Sequence, residues 1–167
     1  MVWHQRLVPP DSDELGAIVH GPIVLARSTN VVVALRSIVA YSTGLDLSVV
    51  ARARGAESER MKLQFTAPAE IDPVTGQPRR GEMHRERLQL RALDDSTLQP
   101  VPHKSTEAFN QPPNSYRREY LFVIRPLPET TELPLVTSWA AIGLQPATTH
   151  LVLPPLETIR KAIIPLA

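Results

Sequence analysis

The clearest alternation of apolar and polar positions runs from Asn30 to Gly55, NVVVALRSIVAYSTGLDLSVVARARG. Two extended segments flank Ser42-Thr43-Gly44. A three-residue connection ending in Gly is the form of a hairpin whose Gly takes the left-handed position and leaves a bulge. With Tyr41 facing Leu45, the pairs that follow are Val39 with Leu47, Ser37 with Val49, Leu35 with Ala51 and Val33 with Ala53. A period of two then places every odd-numbered position on one, almost wholly apolar face. The even-numbered face carries Val32, Ala34, Ile38, Ala40 and Val50 beside Arg36, Asp46, Ser48, Arg52 and Arg54. The outward face of an antiparallel sheet is ordinarily polar, so Val32, Ala34, Arg36, Ile38, Ala40 and Val50 form a candidate partner-binding surface.

The same reading extends along the chain. Met1 to Gly16, with Pro9-Pro10 and an acidic run, predicts a partly ordered N-terminal arm that Trp3 pins to the body. Residues 17–167 are expected to form a single domain. Ala17 to Arg27 predicts a strand in two pieces, broken at Gly21-Pro22, because Pro22 has no N–H to donate to a ladder. Arg60 to Phe65 alternates Met61, Leu63 and Phe65 against Arg60, Lys62 and Gln64, which predicts a half-buried strand. Further strands are expected at Arg87 to Leu93, Tyr116 to Arg125, Leu133 to Ala141 (with Trp139 in the core) and Thr148 to Leu153. Pro154-Pro155 then opens a short helix. Its apolar stripe is Leu156, Ile159 and Ile163. Thr66 to Glu86 and Asp94 to Ser115 read as long loops. About eight strands at hairpin spacing imply an all-β fold, an antiparallel β-sandwich of immunoglobulin-like type, with a closed barrel as the alternative.

Composition narrows the classes of function. The chain has 167 residues and no cysteine, which fits one domain and excludes disulfides, thiolate catalysis and Cys-ligated zinc. Seventeen prolines favour short strands over long helices. The formal net charge of +1, evenly spread, argues against a nucleic-acid or anionic-membrane partner. No apolar run is long enough for a membrane span or follows a basic start as in a secretory signal, so a cytoplasmic protein is expected.

Candidate chemistry is sparse. Glu82, His84 and Glu86 would share one face of a strand and present two carboxylates and an imidazole to a divalent metal. Arg79, Arg80, Arg85 and Arg87 crowd that stretch and repel a cation, so no metal and no cofactor are expected; Arg91 adds to the same basic group. Those arginines, without neighbouring aromatic residues for base stacking, read as a charged strand face rather than a phosphate-binding strip. His4, His20, His103 and His150 are scattered, and no Ser sits in a Gly-x-Ser-x-Gly elbow. Tyr116-Arg117-Arg118 reads as strand-flanking charge.

The order LAR-x-TNVVVAL, AY-x-TG, Tyr120 to Pro128 (YLFVIRPLP), Trp139 and LVLPPLETIRKA resembles a group of actinobacterial single-domain β-rich proteins of unknown function. The shared positions are structural, so the resemblance implies a fold and carries no activity, cofactor or site residue.

These features lead to the expectation of a non-enzymatic binding or structural module that acts through a protein partner or a homo-oligomer. The alternative is a small-ligand-binding protein or enzyme using a cleft between the 66–86 and 94–115 loops. The C-terminal helix, at about nine residues, spans ~14 Å. It cannot cover a strand ~35 Å long, which leaves part of the even-numbered face open to a partner.

Overall fold

β-Branched and aromatic residues dominate the segments that pair, and strong helix formers fill the longer helix. The computed structural model describes residues 13–66, 70–79, 87–92, 96–98, 100–101, 106–109 and 114–166. In chain order the strands are β1 (Glu14–Leu15), β2 (Ala17–His20), β3 (Ile23–Arg27), β4 (Val31–Tyr41) and β5 (Gly44–Arg54). Helix α1 (Ala56–Thr66) follows, then β6 (Glu70–Ile71), β7 (Pro78–Arg79), β8 (Gln89–Ala92), β9 (Ser96–Thr97), β10 (Thr106–Phe109), β11 (Ser115–Ile124) and β12 (Glu132–Trp139). A 3-10 turn at Ala140–Ile142, β13 (Leu144–Val152), α2 (Leu156–Ala162) and β14 (Ile164–Pro165) complete the order.

The chain is mostly β, and its sheets are antiparallel. One sheet runs β10-β11-β5-β4-β2, with β3 also paired to β4. A second runs β13-β12-β8-β9. Inward side chains of both join one apolar cluster, with Leu35, Leu47 and Phe122 from the first and Leu90, Leu135 and Leu144 from the second. The Thr149 hydroxyl on β13 donates to the Leu25 carbonyl on β3 at 3.1 Å and ties the two sheets together. The expected two-piece strand broken at Gly21-Pro22, the strands around Tyr120, Trp139 and Leu151, and the terminal helix with its buried Ile159 are all present. Trp139 is fully buried, as expected.

The hairpin departs from the expected register. Tyr41 pairs with Gly44, so the connection is Ser42-Thr43 alone, and Ile38 rather than Val39 faces Leu47. Farther from the turn the register slips again between Leu35 and Ser37, which makes Arg36 the extra residue of a bulge. An inserted residue reverses the parity of the strand. Val31, Val33 and Leu35 point into the core on one side of Arg36, and Ile38 and Ala40 on the other. Ile38 and Ala40 are therefore core residues and leave the candidate binding surface; Val39 takes the outer face. The cause lies partly in the neighbours. β2 pairs with Val39 and Ala40, β3 with Leu35 and the residues before it, and the Gly21-Pro22 break falls beside the bulge.

The second correction is α1, expected as a strand. Gly55 turns the chain at φ +61, and the Ser58 hydroxyl donates to the Gly55 carbonyl at 2.6 Å. Glu57 and Glu59 favour the positive end of the helix. The residues between are Ala, Glu, Ser, Arg, Met, Lys, Leu and Gln, which suit a helix and lack the β-branching a strand prefers. The buried positions are Ser58, Met61 and Gln64, a spacing of three, while Leu63 is 53% exposed. An alternating strand would have buried Leu63 with Met61.

The remaining corrections are at the termini and in the loops. Glu14 and Leu15, placed in the N-terminal arm by the sequence, pair with Pro165 and Ile164; residues 1–12 of that arm, with Trp3, lie outside the described residues. The loop read over 66–86 contains the β6–β7 ribbon, whose turn is closed by the Asp72 carboxylate accepting from the Val74 N–H at 2.8 Å. The loop read over 94–115 contributes β9 and β10, which extend the two sheets.

Gly44 is required by close approach. Its φ is +156, and a Cβ there would overlap the Ile124 carbonyl oxygen and lie 2.6 Å from Arg125 Cδ. That carbonyl belongs to the β5–β11 pairing at Leu45 and Ile124 and cannot withdraw without breaking it. Gly44→Ala should cost about 1–3 kcal/mol in urea unfolding. A loss within error would show that the β11 end is not held against the hairpin turn.

Candidate functional site

The outer face of the larger sheet holds the candidate site. Val32 on β4 pairs with Arg27 on β3 and with Arg52 on β5, and Arg52 pairs with Arg117 on β11. Directly paired residues share a face, so Arg27, Val32, Arg52 and Arg117 make one row across four strands. The adjacent row, Val24, Ala34, Val50 and Glu119, is aliphatic until its last member. All four members of the first row, with Ala34 and Val50 of the second and with Ser28, Thr29, Asn30 and Arg54, line a concavity of about 550 Å³. Val32, Ala34 and Val50 form its half-buried floor. That volume lies within the ordinary range of ligand clefts.

Charge is unevenly distributed around this floor. Glu119 accepts from Arg117 at 2.6 Å and from Arg36 at 3.1 Å. Arg27, Arg52 and Arg54 have no ion-pair partner among the described residues. Arg52 stands directly opposite Arg117, and like charges in that relation destabilise a sheet by about 0.2–1 kcal/mol. The ionisable groups lining the concavity are guanidinium groups. They donate hydrogen bonds in a planar fork and do not give up a proton near neutral pH, which suits holding an anion and not transferring protons.

Of the surface read from the sequence, Val32, Ala34 and Val50 are brought together on this face, Arg36 reaches it through its ion pair with Glu119, and Ile38 and Ala40 lie in the core. Arg52 and Arg54 were legible on the same face. Arg27 and Arg117 were not, because their place depends on which strands become neighbours. The metal candidate Glu82, His84 and Glu86 lies outside the described residues, as do His4, His103, Arg80 and Arg85 and much of the 66–86 and 94–115 loops. Among the described residues no three metal-ligating side chains cluster. Arg87 lies over the Phe65 ring, 5.5 Å from its centroid. Arg118 lies over the same ring at 3.5 Å, on the core-facing side of β11, while Arg117 points outward. His20 contacts the Gly21 carbonyl at 2.7 Å, and His150 is exposed.

A second polar cluster sits at the turn end of the hairpin. Arg125 donates to the Asp46 carboxylate at 2.7 Å and to the carbonyls of Leu45 and Ile124 at 3.0 and 3.2 Å. The Glu14 carboxylate accepts from the Ser42 hydroxyl at 2.6 Å and from its N–H at 3.1 Å. Burial, then the Asp46 carboxylate, raises the Tyr41 phenol above its ordinary value of 10.0; Arg125 opposes this and Glu14 adds to it. The phenol therefore stays neutral across the physiological range. Each hydrogen bond here closes a turn or fastens a strand end, so the cluster is a clamp on the fold.

No family model matches the chain, and neither a curated protein nor a solved structure matches it. Among the described residues no helix is long and apolar enough to cross a membrane.

Proposed function

We propose that this chain is a non-enzymatic binding module of β-sandwich, immunoglobulin-like architecture that engages another protein through the outer face of its six-stranded sheet. The observation that carries the reading is the half-buried aliphatic floor of Val32, Ala34 and Val50, set in a concavity and left open by the described residues. Aliphatic surface on the outer side of an antiparallel sheet costs solvation until something covers it. The sandwich part of the reading rests on two antiparallel sheets feeding one core cluster, with β10 and β2 ending one strand order and β13 and β9 the other. A symmetric pairing of two copies through this face is disfavoured. An isologous contact would set the arginines of one copy against those of the other. The partner is therefore a different protein, met in the cytoplasm, and the purified chain should be monomeric by light scattering.

The test is a steric block that leaves charge unchanged. Ala34→Trp fills the floor of the concavity. Proteins captured from a host extract on the wild type and on Ala34→Trp are compared by quantitative mass spectrometry, after both are shown to unfold at the same urea concentration. Species held by the wild type and lost on the variant support the reading. Identical profiles on the two would rule this face out as the binding surface.

A further inference from the structure

Resting on that reading, we infer that the partner segment is an acidic peptide with an aliphatic side chain among its carboxylates. The chemistry of the face selects it. Arg27, Arg52 and Arg117 lie on successive positions of one cross-strand row with Val32 between the first two. Neighbouring strands are about 4.8 Å apart, so the row from β3 to β11 covers roughly 14 Å. A single phosphate or carboxylate reaches one or two of these guanidinium groups and leaves the rest unmatched. An elongated polyanion reaches all of them.

A nucleic-acid strand and an acidic peptide are both elongated anions, and the floor separates them. A nucleic-acid strand brings bases that need aromatic platforms; this concavity is lined by aliphatic, small polar and arginine side chains. An acidic peptide brings carboxylates, which match arginine forks in pairs, and can place a valine or leucine against Val32, Ala34 and Val50. Glu119 already engages Arg117 and Arg36, which leaves Arg27, Arg52 and Arg54 with the most hydrogen-bonding capacity to offer and Arg117 with part of its fork. Arg52 bears the most weight. It faces another arginine across the strand pair and lacks a carboxylate among the described residues, so a ligand carboxylate seated there relieves repulsion as well as adding a bond.

The experiment uses fluorescence anisotropy with the whole chain and a labelled peptide of about six residues, long enough to span the row, alternating glutamate and valine. Parallel probes replace glutamate by lysine, or valine by serine; unlabelled pyrophosphate and a short single-stranded DNA serve as competitors. Expected results are binding of the glutamate–valine peptide, weaker binding of the serine version, no binding of the lysine version, and loss at high salt. Arg52→Ala should weaken binding about tenfold, the ordinary worth of one charge-assisted hydrogen bond, while leaving the melting temperature equal or higher. Unchanged affinity in Arg52→Ala, or equal binding of the lysine peptide, would overturn the inference. So would competition by pyrophosphate or DNA at the peptide's own concentration, which would assign the face to a small phosphate or to nucleic acid. A partner that is lost on Ala34→Trp yet insensitive to Arg52→Ala would leave the binding module standing and remove only its acidic specificity.

Discussion

Leu35→Lys and Ile38→Lys should each leave the chain largely unfolded, while Val39→Lys should cost less than about 1 kcal/mol in urea unfolding followed by circular dichroism. Leu35 and Ile38 have no solvent exposure, and both sit in the shared core. An ammonium placed there has no described carboxylate to meet, and an unpaired buried charge costs several kcal/mol even after relaxation. A domain of this size is held by only about 5–15 kcal/mol. Val39 lies on the outer side, directly opposite Asp46. A lysine there can run its stem along the sheet and set its charge near a carboxylate. The three variants together test the bulge. In an unbroken strand, Leu35 and Val39 share a face and Ile38 takes the other. Severe loss at Leu35 and Ile38 with tolerance at Val39 requires one extra residue between them. Tolerance at Ile38 with severe loss at Val39 would restore the unbroken register and return Ile38 and Ala40 to the outer face.

That bulge shows where reading the sequence stops. The positions of β2, β3, β11, β12, β13 and α2 follow from local signals: proline breaks, β-branched and aromatic runs, and a Pro-Pro helix start. The parity of β4 was also written locally. The apolar positions are Val31, Val33 and Leu35, then Ile38 and Ala40, with the polar pair Arg36-Ser37 marking the step. Treating Asn30 to Tyr41 as one uninterrupted strand hides it. The Gly21-Pro22 break is a visible irregularity on the neighbouring strand, but only the folded sheet sets it beside Arg36.

The site was half legible for the same reason. Val32, Ala34, Arg36 and Val50 belong to one hairpin, and hairpin pairing is a local matter fixed by the turn. Arg27 and Arg117 arrive from β3 and β11, the latter more than 60 residues along the chain from Arg52. Nothing in their own surroundings distinguishes them from the other arginines. Long-range strand order turns separate charges into a basic row over an aliphatic floor.

Trp139→Ala should destabilise the chain by about 3–5 kcal/mol, the range for truncating a fully buried large aromatic. The side chain has no exposure, and it meets the Phe65 ring edge-on with centroids 6.4 Å apart. Its indole N–H donates to the Gln64 side-chain oxygen at 2.8 Å in a buried contact. Gln64 and Phe65 both belong to α1, so this one residue at the end of β12 fastens the helix to the second sheet. The hydrogen bond can be separated from the packing. Trp139→Phe keeps much of the apolar volume but leaves the Gln64 amide oxygen buried without its donor, at a further cost of about 1–3 kcal/mol. Replacing Gln64 by Leu in that background removes the orphaned group and should recover most of this second penalty, so the double variant should be more stable than Trp139→Phe alone. This non-additivity, measured as a double-mutant cycle in urea, belongs to a helix in which Gln64 faces inward with Met61. In the strand read from the alternation of residues 60–65, Gln64 would point to solvent, the two substitutions would act independently, and Gln64→Leu would rescue nothing.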